Sequence, residues 1–304
     1  YALAIHPSSG EVYVAGETFS TNFPNTTGGA QGSKGGSWDA FVARLNAALT
    51  ANPQSTYLGG SIYDYAYALG IHPSSGEVYV AGTTFSTDFP NTTGGAQGSN
   101  GGGWDAFVAR LDAALTANLQ STYLGGSGAD VTQALAIHPS SGEVYVAGLT
   151  LSTNFPNTTG GAQATYGGGI WDAFVARLNA ALSANSQSTY LGGSDEDQAR
   201  ALAIHPSSGE VYVAGWTRST DFPNTAGGAQ ATHGGGFRDA FVARLDANLT
   251  SNLQSTYLGG SGDDYAFFAL GIHPSSGEVY VAGYTSSTDF PNTTGGAQAT
   301  YGGG

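Results

Sequence analysis

Short apolar runs separated by turn-forming residues recur along the whole chain, and each repeating unit contains four of them. In the first unit they are Ala2–Pro7, Glu11–Thr18, Asp39–Leu45 and Ser55–Ser61. The first three runs are apolar at consecutive positions, a pattern typical of strands that are covered on both faces. The segment PSSG between the first two runs predicts a tight hairpin with a glycine at positive φ. The fourth run is more polar, as expected for an outer strand.

The tripeptide IHP sets the period of the repeat. Its histidine stands at positions 6, 72, 138, 205 and 273, so the spacings are 66, 66, 67 and 68 residues. The extra residues fall in GGGIWD, GGGFRD and DDYAFF, outside the apolar cores. This is the behaviour of structural units that must stack in register. The predicted repeats are 1–61, 62–127, 128–194 and 195–261, followed by a half repeat at 262–304.

Residues 39–52, DAFVARLNAALTAN, fit two assignments. Asp39 is a candidate helix N-cap, and Phe41, Leu45 and Leu49 have helical spacing, so local propensity favours a helix. Four strands per repeat is a known architecture, which favours a strand, a turn around residues 46–52 and then another strand. The sequence leaves both assignments open.

The predicted fold is all-β. A small four-stranded meander cannot bury both of its faces alone, so successive meanders must pack on each other. We expect a β-propeller of four-stranded meander blades, with about 4.5 blades of 66–68 residues in this chain, because closure removes exposed ends. The alternative is an open superhelical β-repeat array. The repeat register stops in mid-unit, which favours a window on a longer protein over a last half repeat that another chain completes.

The recurring segments STYLGGS, SSGEVYVAG, DFPNTTGGAQ and DAFVARL follow one another in this order through nearly the whole chain. Together they resemble the SBBP-type β-propeller repeat family. The resemblance implies four-stranded blades in bacterial or archaeal proteins that are secreted or held at the cell surface, and it implies no particular activity. IHP stands here where the family often has an acidic residue, and NAALTAN where a Pro/Gly turn is usual.

Composition narrows the classes of function. The chain has 8 Lys and Arg against 22 Asp and Glu, a net charge of −14 and no cysteine. Nucleic acid is therefore excluded as a partner, since phosphate binding needs clustered cations. No apolar run reaches the ~18 residues of a membrane span, so we expect no membrane insertion. The neutral-polar, glycine-rich surface is common in extracellular and cell-surface proteins, and that is the predicted location.

Carboxylates in the connectors between repeats are candidate calcium ligands, because calcium takes several oxygen ligands. Each connector has an aspartate three residues after a serine, and the last two connectors carry more carboxylates. The candidate ligands are Asp195, Glu196, Asp197, Asp263 and Asp264. Capping of turns by aspartate is the simpler explanation for these residues. Calcium is the only cofactor that the sequence suggests.

Asn-Thr-Thr sequons recur on the long loop between the second and third runs, at Asn25, Asn91, Asn157 and Asn292. They are candidate N-glycosylation sites, while Asn224 in NTAG is not an acceptor. The alternative is that these asparagines make turn hydrogen bonds after the Phe-Pro pair.

Trp38, Trp104 and Trp171 lie at the end of the same loop and are candidate aromatic residues of a ligand-binding face. Aromatic rings there could stack on sugars, or they could cap the core of a blade. Arg44 and its three counterparts are expected to pair with a carboxylate, such as the aspartate that opens the same run.

No catalytic motif is present, and five near-equal surfaces do not produce the convergence of unlike residues that catalysis needs. The sequence predicts a non-enzymatic structural or adhesive protein, part of a cell-surface or filamentous assembly, with other protein chains or copies of itself as partners. The alternative is a lectin-like module that binds glycans or proteins through its long loops.

Overall fold

The computed structural model describes residues 1–303, apart from the side chains of residues 267 and 268; residue 304, the end of the predicted half repeat, lies outside the described residues. Its regular elements are β-strands: β1 Ala2–Ile5, β2 Val12–Thr18, β3 Asp39–Leu45, β4 Gln54–Leu58, β5 Asp64–Ile71, β6 Val78–Thr84, β7 Asp105–Leu111, β8 Asn118–Leu124, β9 Asp130–Ile137, β10 Val144–Thr150, β11 Asp172–Leu178, β12 Asn185–Leu191, β13 Asp197–Ile204, β14 Val211–Thr217, β15 Asp239–Leu245, β16 Asn252–Leu258, β17 Asp264–Ile272 and β18 Val279–Thr285.

The strands form four four-stranded sheets and one two-stranded sheet, and each sheet follows chain order. The described pairings between these strands are antiparallel, as between β6 and β7, where Val80 faces Ala109. Every glycine that ends a PSSG turn has positive φ, from 72° to 74°. The prediction of an all-β fold made of repeated four-stranded meanders is therefore confirmed.

The helix alternative for residues 39–52 is wrong. Asp39–Leu45 is strand β3, and the chain turns before β4 begins at Gln54. Leu49 has φ 57°, a left-handed conformation that no helix interior allows. The carbonyl of Asn46 accepts from the amide of Leu49, so Asn46 closes the turn. Burial of β3 between neighbouring strands outweighs the helical propensity of its sequence.

The chain divides into two compact units. Unit 1 comprises residues 1–146, 150–157 and 176–186, and unit 2 comprises residues 147–149, 158–175 and 187–304. In unit 1 the core lies between the first two sheets, where Tyr13 and Val42 meet Val80 and Phe107. In unit 2 a smaller cluster joins Ala214 and Ala240 to Ala266. Apolar residues on both faces of the middle strands make this burial possible.

The turn between the third and fourth strands of one repeat docks on the repeat before it. In unit 1 the carbonyl of Leu115 accepts a 2.9 Å hydrogen bond from the amide of Ala30, and the hydroxyl of Tyr13 donates to the carbonyl of Ala113 at 2.7 Å. In unit 2 the amide of Ala162 donates to the carbonyl of Leu249 at 2.8 Å. Consecutive repeats thus contact each other through equivalent atoms.

Among residues 1–303 there is no helical segment with the length and apolarity that crossing a bilayer requires.

Candidate functional site

The connector aspartates lie inside the protein. Asp64, the first residue of β5, is fully buried and accepts hydrogen bonds from the amide of Gly60 at 2.8 Å, from Thr84 Oγ1 at 2.5 Å and from Ser86 Oγ at 3.0 Å. Asp130 and Asp197 are also fully buried and accept from the equivalent glycine and serine. These carboxylates fix the connector onto the sheet.

A second set of buried aspartates opens the third strand of each repeat. Asp39 accepts from the amides of Gly35 and Gly36, at 2.6 and 2.8 Å, and from Gln31 Nε2 at 3.2 Å. It therefore holds the end of the long loop in place. The sequence signal for this role is an aspartate that follows a glycine run in every repeat.

The two sets of aspartates meet in pairs beside a glycine. A Cβ atom on Gly125 would lie 2.6 Å from Asp130 Oδ2 and 2.9 Å from Asp105 Oδ1. A Cβ atom on Gly259 would lie 2.6 Å from Asp239 Oδ1 and 2.8 Å from Asp264 Oδ2. Any side chain would collide with both carboxylates, which explains why the first glycine of the GG in STYLGG recurs unchanged.

Burial raises the pKa of Asp105 to about 6 and that of Asp130 to about 7. The Asp105 carboxylate adds to the shift on Asp130, because two neighbouring negative charges in a desolvated site repel each other. Desolvation also raises the pKa of other members of these pairs, namely Asp64 and Asp172 to about 7, Asp197 to about 8 and Asp239 to about 6.

The candidate calcium ligands lie in different environments and have different partners. Asp197 and Asp264 are fully buried, whereas Asp195 is exposed and Glu196 lies 3.5 Å from Arg218. Asp263 Oδ1 accepts a 2.6 Å hydrogen bond from the amide of Phe237. Within the described part of the chain, no group of three or more His, Cys, Asp or Glu side chains could hold a metal ion. Calcium binding stays a prediction.

The sequon asparagines are exposed and adopt a left-handed backbone conformation. Asn91 has φ 60°, and its Nδ2 donates to the carbonyl of Asn118 at 2.8 Å. Asn25 and Asn157 make the equivalent bond. Asn224, which is not in a sequon, has φ 58° and the same bond to Asn252. Asparagine tolerates this conformation well, so the turn accounts for its recurrence, and glycosylation of Asn25, Asn91, Asn157 and Asn292 stays a prediction.

Much of the long loop lies along the outer edge of the sheet. In the second repeat, the amides of Ser121 and Tyr123 on edge strand β8 donate to the carbonyls of Asn91 and Gln97, at 2.9 and 3.0 Å. The amide of Gln97 donates in turn to Thr122 Oγ1 at 2.8 Å. The loop thus satisfies backbone groups that an open edge strand would offer to another chain. Its length therefore has a structural cause, which weakens the case for the whole loop as a working surface.

The repeats differ mainly at one surface, which three parts of each repeat form. These parts are the end of the connector with the start of the first strand, the end of the second strand, and the residue before the aspartate that opens the third strand. We call this the variable surface. In the second repeat it comprises Tyr63, Tyr65, Tyr67, Phe85 and Trp104; in the third, Ala129, Val131, Gln133 and Leu151; in the fourth, Glu196, Gln198, Arg200, Arg218 and Arg238.

In the first two repeats the variable surface is aromatic. The ring centroids of Phe85 and Trp104 are 4.6 Å apart, and Tyr63 meets Phe85 edge-on at 5.6 Å. In the first repeat Phe19 and Trp38 form a similar pair at 5.4 Å. Trp38 is 36% exposed and Trp104 is 42% exposed, so neither caps a closed core. Trp171, the third candidate, is half-buried.

In the fourth repeat the variable surface is polar and charged. The Arg238 guanidinium lies 4.5 Å from the ring centroid of the buried Trp216, and its NH1 donates to the hydroxyl of Tyr265 in the next repeat at 2.7 Å. Arg218 pairs with Glu196 at 3.5 Å. The same framework thus carries different chemistry in different repeats.

The repeated arginines pair with a different carboxylate from the one expected. Arg44 lies 3.9 Å from Glu11, and Arg177 lies 3.6 Å from Glu143, so the partner is the glutamate after PSSG. The aspartate that opens the arginine's own strand is buried in the pairs described above. The arginines therefore do pair with a carboxylate, but the aspartate of their own strand is too far away, because it stands five residues earlier, about 17 Å along the strand.

No family model matches the chain, and no curated protein matches it. Two solved structures are similar to it in fold. One, described as the Dos1 propeller, shares 12% identity at a TM-score of 0.41, and the alignment covers 92% of this chain and 63% of that chain. The other, Sqt1 of Chaetomium thermophilum, shares 10% identity at a TM-score of 0.36, with 92% and 78% covered. The chain thus spans less than two thirds of the Dos1 propeller chain.

Proposed function

We propose that this chain is a non-enzymatic β-propeller repeat protein that acts in adhesion at the cell surface, and that its binding activity resides on the variable surface. One observation carries the proposal: segments such as EVYVAG, DAFVARL and STYLGG recur unchanged, while many of the differences in side-chain chemistry between repeats fall on the variable surface. A scaffold that repeats its framework and varies one exposed face is suited to binding.

The resemblance to SBBP-type repeats supports an extracellular location, and the net charge of −14 fits a soluble surface protein. Exposed aromatic side chains of this kind are enriched at binding sites, because they bury a large area with little loss of conformational entropy. Protein chains and glycans are both partners that such a surface can take.

The test is retention of isolated cell envelopes on a sensor coated with the purified chain. We expect the double variant Tyr63→Ala, Phe85→Leu, which carries the third repeat's residues, to lose at least roughly tenfold in retention, as for an interface hot spot. Leu119→Ala is the matched control, since Leu119 and Tyr63 are both 38% exposed and Leu119 lies on edge strand β8. Equal retention by the double variant and the unmodified chain would overturn the proposal.

A glycan-binding module is the second candidate function. The exposed ring pairs Phe19–Trp38 and Phe85–Trp104 favour it, because the C–H faces of sugar rings pack on aromatic faces. An array of immobilised glycans tests it directly: binding that Trp104→Ala removes supports a lectin-like role, and an array without any binding contradicts it.

A further inference from the structure

Three tyrosines stand at alternate positions where the second repeat enters its first strand. Residues i and i+2 of a regular strand lie on one face, about 6.7 Å apart, and Tyr67 stands at the bulge between Ala66 and Ala68. The ring centroids follow that spacing, at 6.5 Å between Tyr63 and Tyr65 and 6.3 Å between Tyr65 and Tyr67. The rings are nearly parallel, with interplanar angles of 3° and 19°.

Two further rings extend this row away from the strand. Phe85 meets Tyr63 at 5.6 Å and Tyr65 at 6.3 Å, and Trp104 lies 4.6 Å beyond Phe85. We call the five rings, from Tyr67 to Trp104, the aromatic track. Its members are half-buried or exposed, with Tyr63 38% and Trp104 42% accessible. The track is a row open to solvent and not a closed core.

The fold does not require these rings. The third repeat has Ala129, Val131 and Gln133 at the positions of the three tyrosines and still forms strand β9 with the same start and length. The fourth repeat has Glu196, Gln198 and Arg200 there. Since the strand forms with side chains of every class, the aromatic row in the second repeat needs a cause other than folding.

The charge around the track is negative. Desolvation and the nearby Glu17 carboxylate raise the pKa of Tyr67 to about 12, so its hydroxyl stays protonated and can donate a hydrogen bond. Glu17 also acts on Tyr65 in the same direction. Together with the net charge of −14, this disfavours an anionic ligand.

We propose that the aromatic track binds a neutral polysaccharide chain, with successive sugar rings packed on successive aromatic rings and tyrosine hydroxyls bonded to sugar hydroxyls. This inference rests on the proposed function and names the ligand of the same surface. A row of five rings without an enclosing pocket favours a chain over a single sugar, because each ring buries little area and affinity must accumulate along the row.

The experiment is affinity gel electrophoresis of the full chain in gels that contain a neutral polysaccharide, with dextran, laminarin and glucomannan as probes and alginate as the anionic comparison. Oligosaccharides of increasing length from the retarding polymer are then titrated by calorimetry. We expect retardation by at least one neutral polymer, none by alginate, and affinity that rises with oligosaccharide length.

The variant is Tyr63→Ala, Tyr65→Val, Tyr67→Gln, which gives the second repeat the residues of the third and so keeps a sequence that this framework accommodates. It should lower the affinity at least roughly tenfold, since it removes three of the five aromatic faces on which sugar rings would pack. Leu119→Ala is the control, because Leu119 is 38% exposed on β8 and lies outside the track; its affinity should stay within about threefold of that of the unmodified chain.

The outcomes separate the inference from the proposed function. Retardation by alginate equal to that by neutral polymers, or no retardation by any of the neutral probes, overturns the polysaccharide inference. If no polysaccharide binds but the triple variant still loses envelope retention, the proposed function holds and the ligand is of another kind. If the triple variant retains envelopes fully, the proposed function falls as well.

Discussion

At the scale of single residues, the paired buried aspartates are the least expected feature of the chain. Asp105 and Asp130 come from different strands, and both contact the position where Gly125 lacks a side chain. Each accepts hydrogen bonds from glycine amides, Asp105 from Gly101 and Asp130 from Gly126, at 2.7 and 2.8 Å. They join loop, connector and sheet, yet their mutual repulsion acts against the folded state whenever both are ionised.

These pairs predict that the protein is more stable in mild acid than at alkaline pH. The pKa values of Asp64, Asp130 and Asp197 rise to about 7, 7 and 8 on folding, so the folded state binds protons that the unfolded state has released. The stabilisation from this proton binding is fully present below the pKa of the unfolded state, near 3.8, and is lost as the pH rises through the folded-state pKa values of about 7 to 8. The free energy of unfolding should therefore fall from pH 5 to pH 8.

Urea titrations at several pH values measure this slope, which is about 1.4 kcal/mol per pH unit for each additional proton bound by the folded state. Asp130→Asn should reduce the slope, because it removes one titrating partner of a pair. A midpoint that is constant or rises between pH 5 and pH 8 would contradict the prediction.

At the scale of elements, the long loop and the edge strand form one structure. The hydroxyl of Tyr123 on β8 donates to the carbonyl of Ser86 at 2.8 Å and accepts from the amide of Phe89 at 2.9 Å. Since Tyr123 is fully buried, the loop segment that follows β6 is anchored to the far side of its own sheet. The same arrangement in the fourth repeat joins Tyr257 to Ser219 and Phe222.

Tyr123→Phe tests this anchoring. The substitution keeps the ring and leaves a buried amide and a buried carbonyl without their partner, which should lower the free energy of unfolding by about 1–3 kcal/mol. Chemical denaturation measures the loss. Tyr65→Phe serves as control, because that ring lies on the track, and its change should stay within about 0.5 kcal/mol. Equal stability of the two variants would show that the anchor contributes nothing.

How far the sequence predicts these elements depends on the kind of signal. Runs such as EVYVAG and the PSSG turn carry their own periodicity and turn chemistry, so strands β1 to β18 could be located within a few residues. The loop's path along β8 depends on backbone groups of Asn91 and Gln97, which leave no mark in residue type. The aromatic track could be found only by asking where near-identical repeats differ, since Tyr63, Tyr65 and Tyr67 look like ordinary strand residues.

At the scale of the whole molecule, one turn repeats the contact between neighbouring repeats. Leu115 and Leu182 in unit 1 and Leu249 in unit 2 are fully buried, each with φ between 58° and 62°, and each carbonyl accepts from an alanine amide of the preceding repeat. Leu49 has the same conformation with φ 57°, but it is 64% exposed.

This difference gives a matched pair of variants. Leu115→Ala removes a buried side chain and should cost about 2–5 kcal/mol, whereas Leu49→Ala should change stability by about 0.5 kcal/mol or less. Both substitutions place alanine at the same positive φ, so backbone strain cancels in the comparison. Differential scanning calorimetry of the two variants measures it; equal melting temperatures would mean that the buried leucine does not hold the repeats together.

The uniform docking of that turn has a consequence for how such a chain changes over generations. Because the turn of one repeat meets the preceding repeat through the same atoms, at Leu115, Leu182 and Leu249 alike, a gene segment of one period can be duplicated, deleted or exchanged by unequal recombination without a new interface. Each event carries its own set of variable residues to a new place in the array. The framework thus allows lineages to shuffle binding surfaces in whole units, while point mutation refines the side chains within each unit.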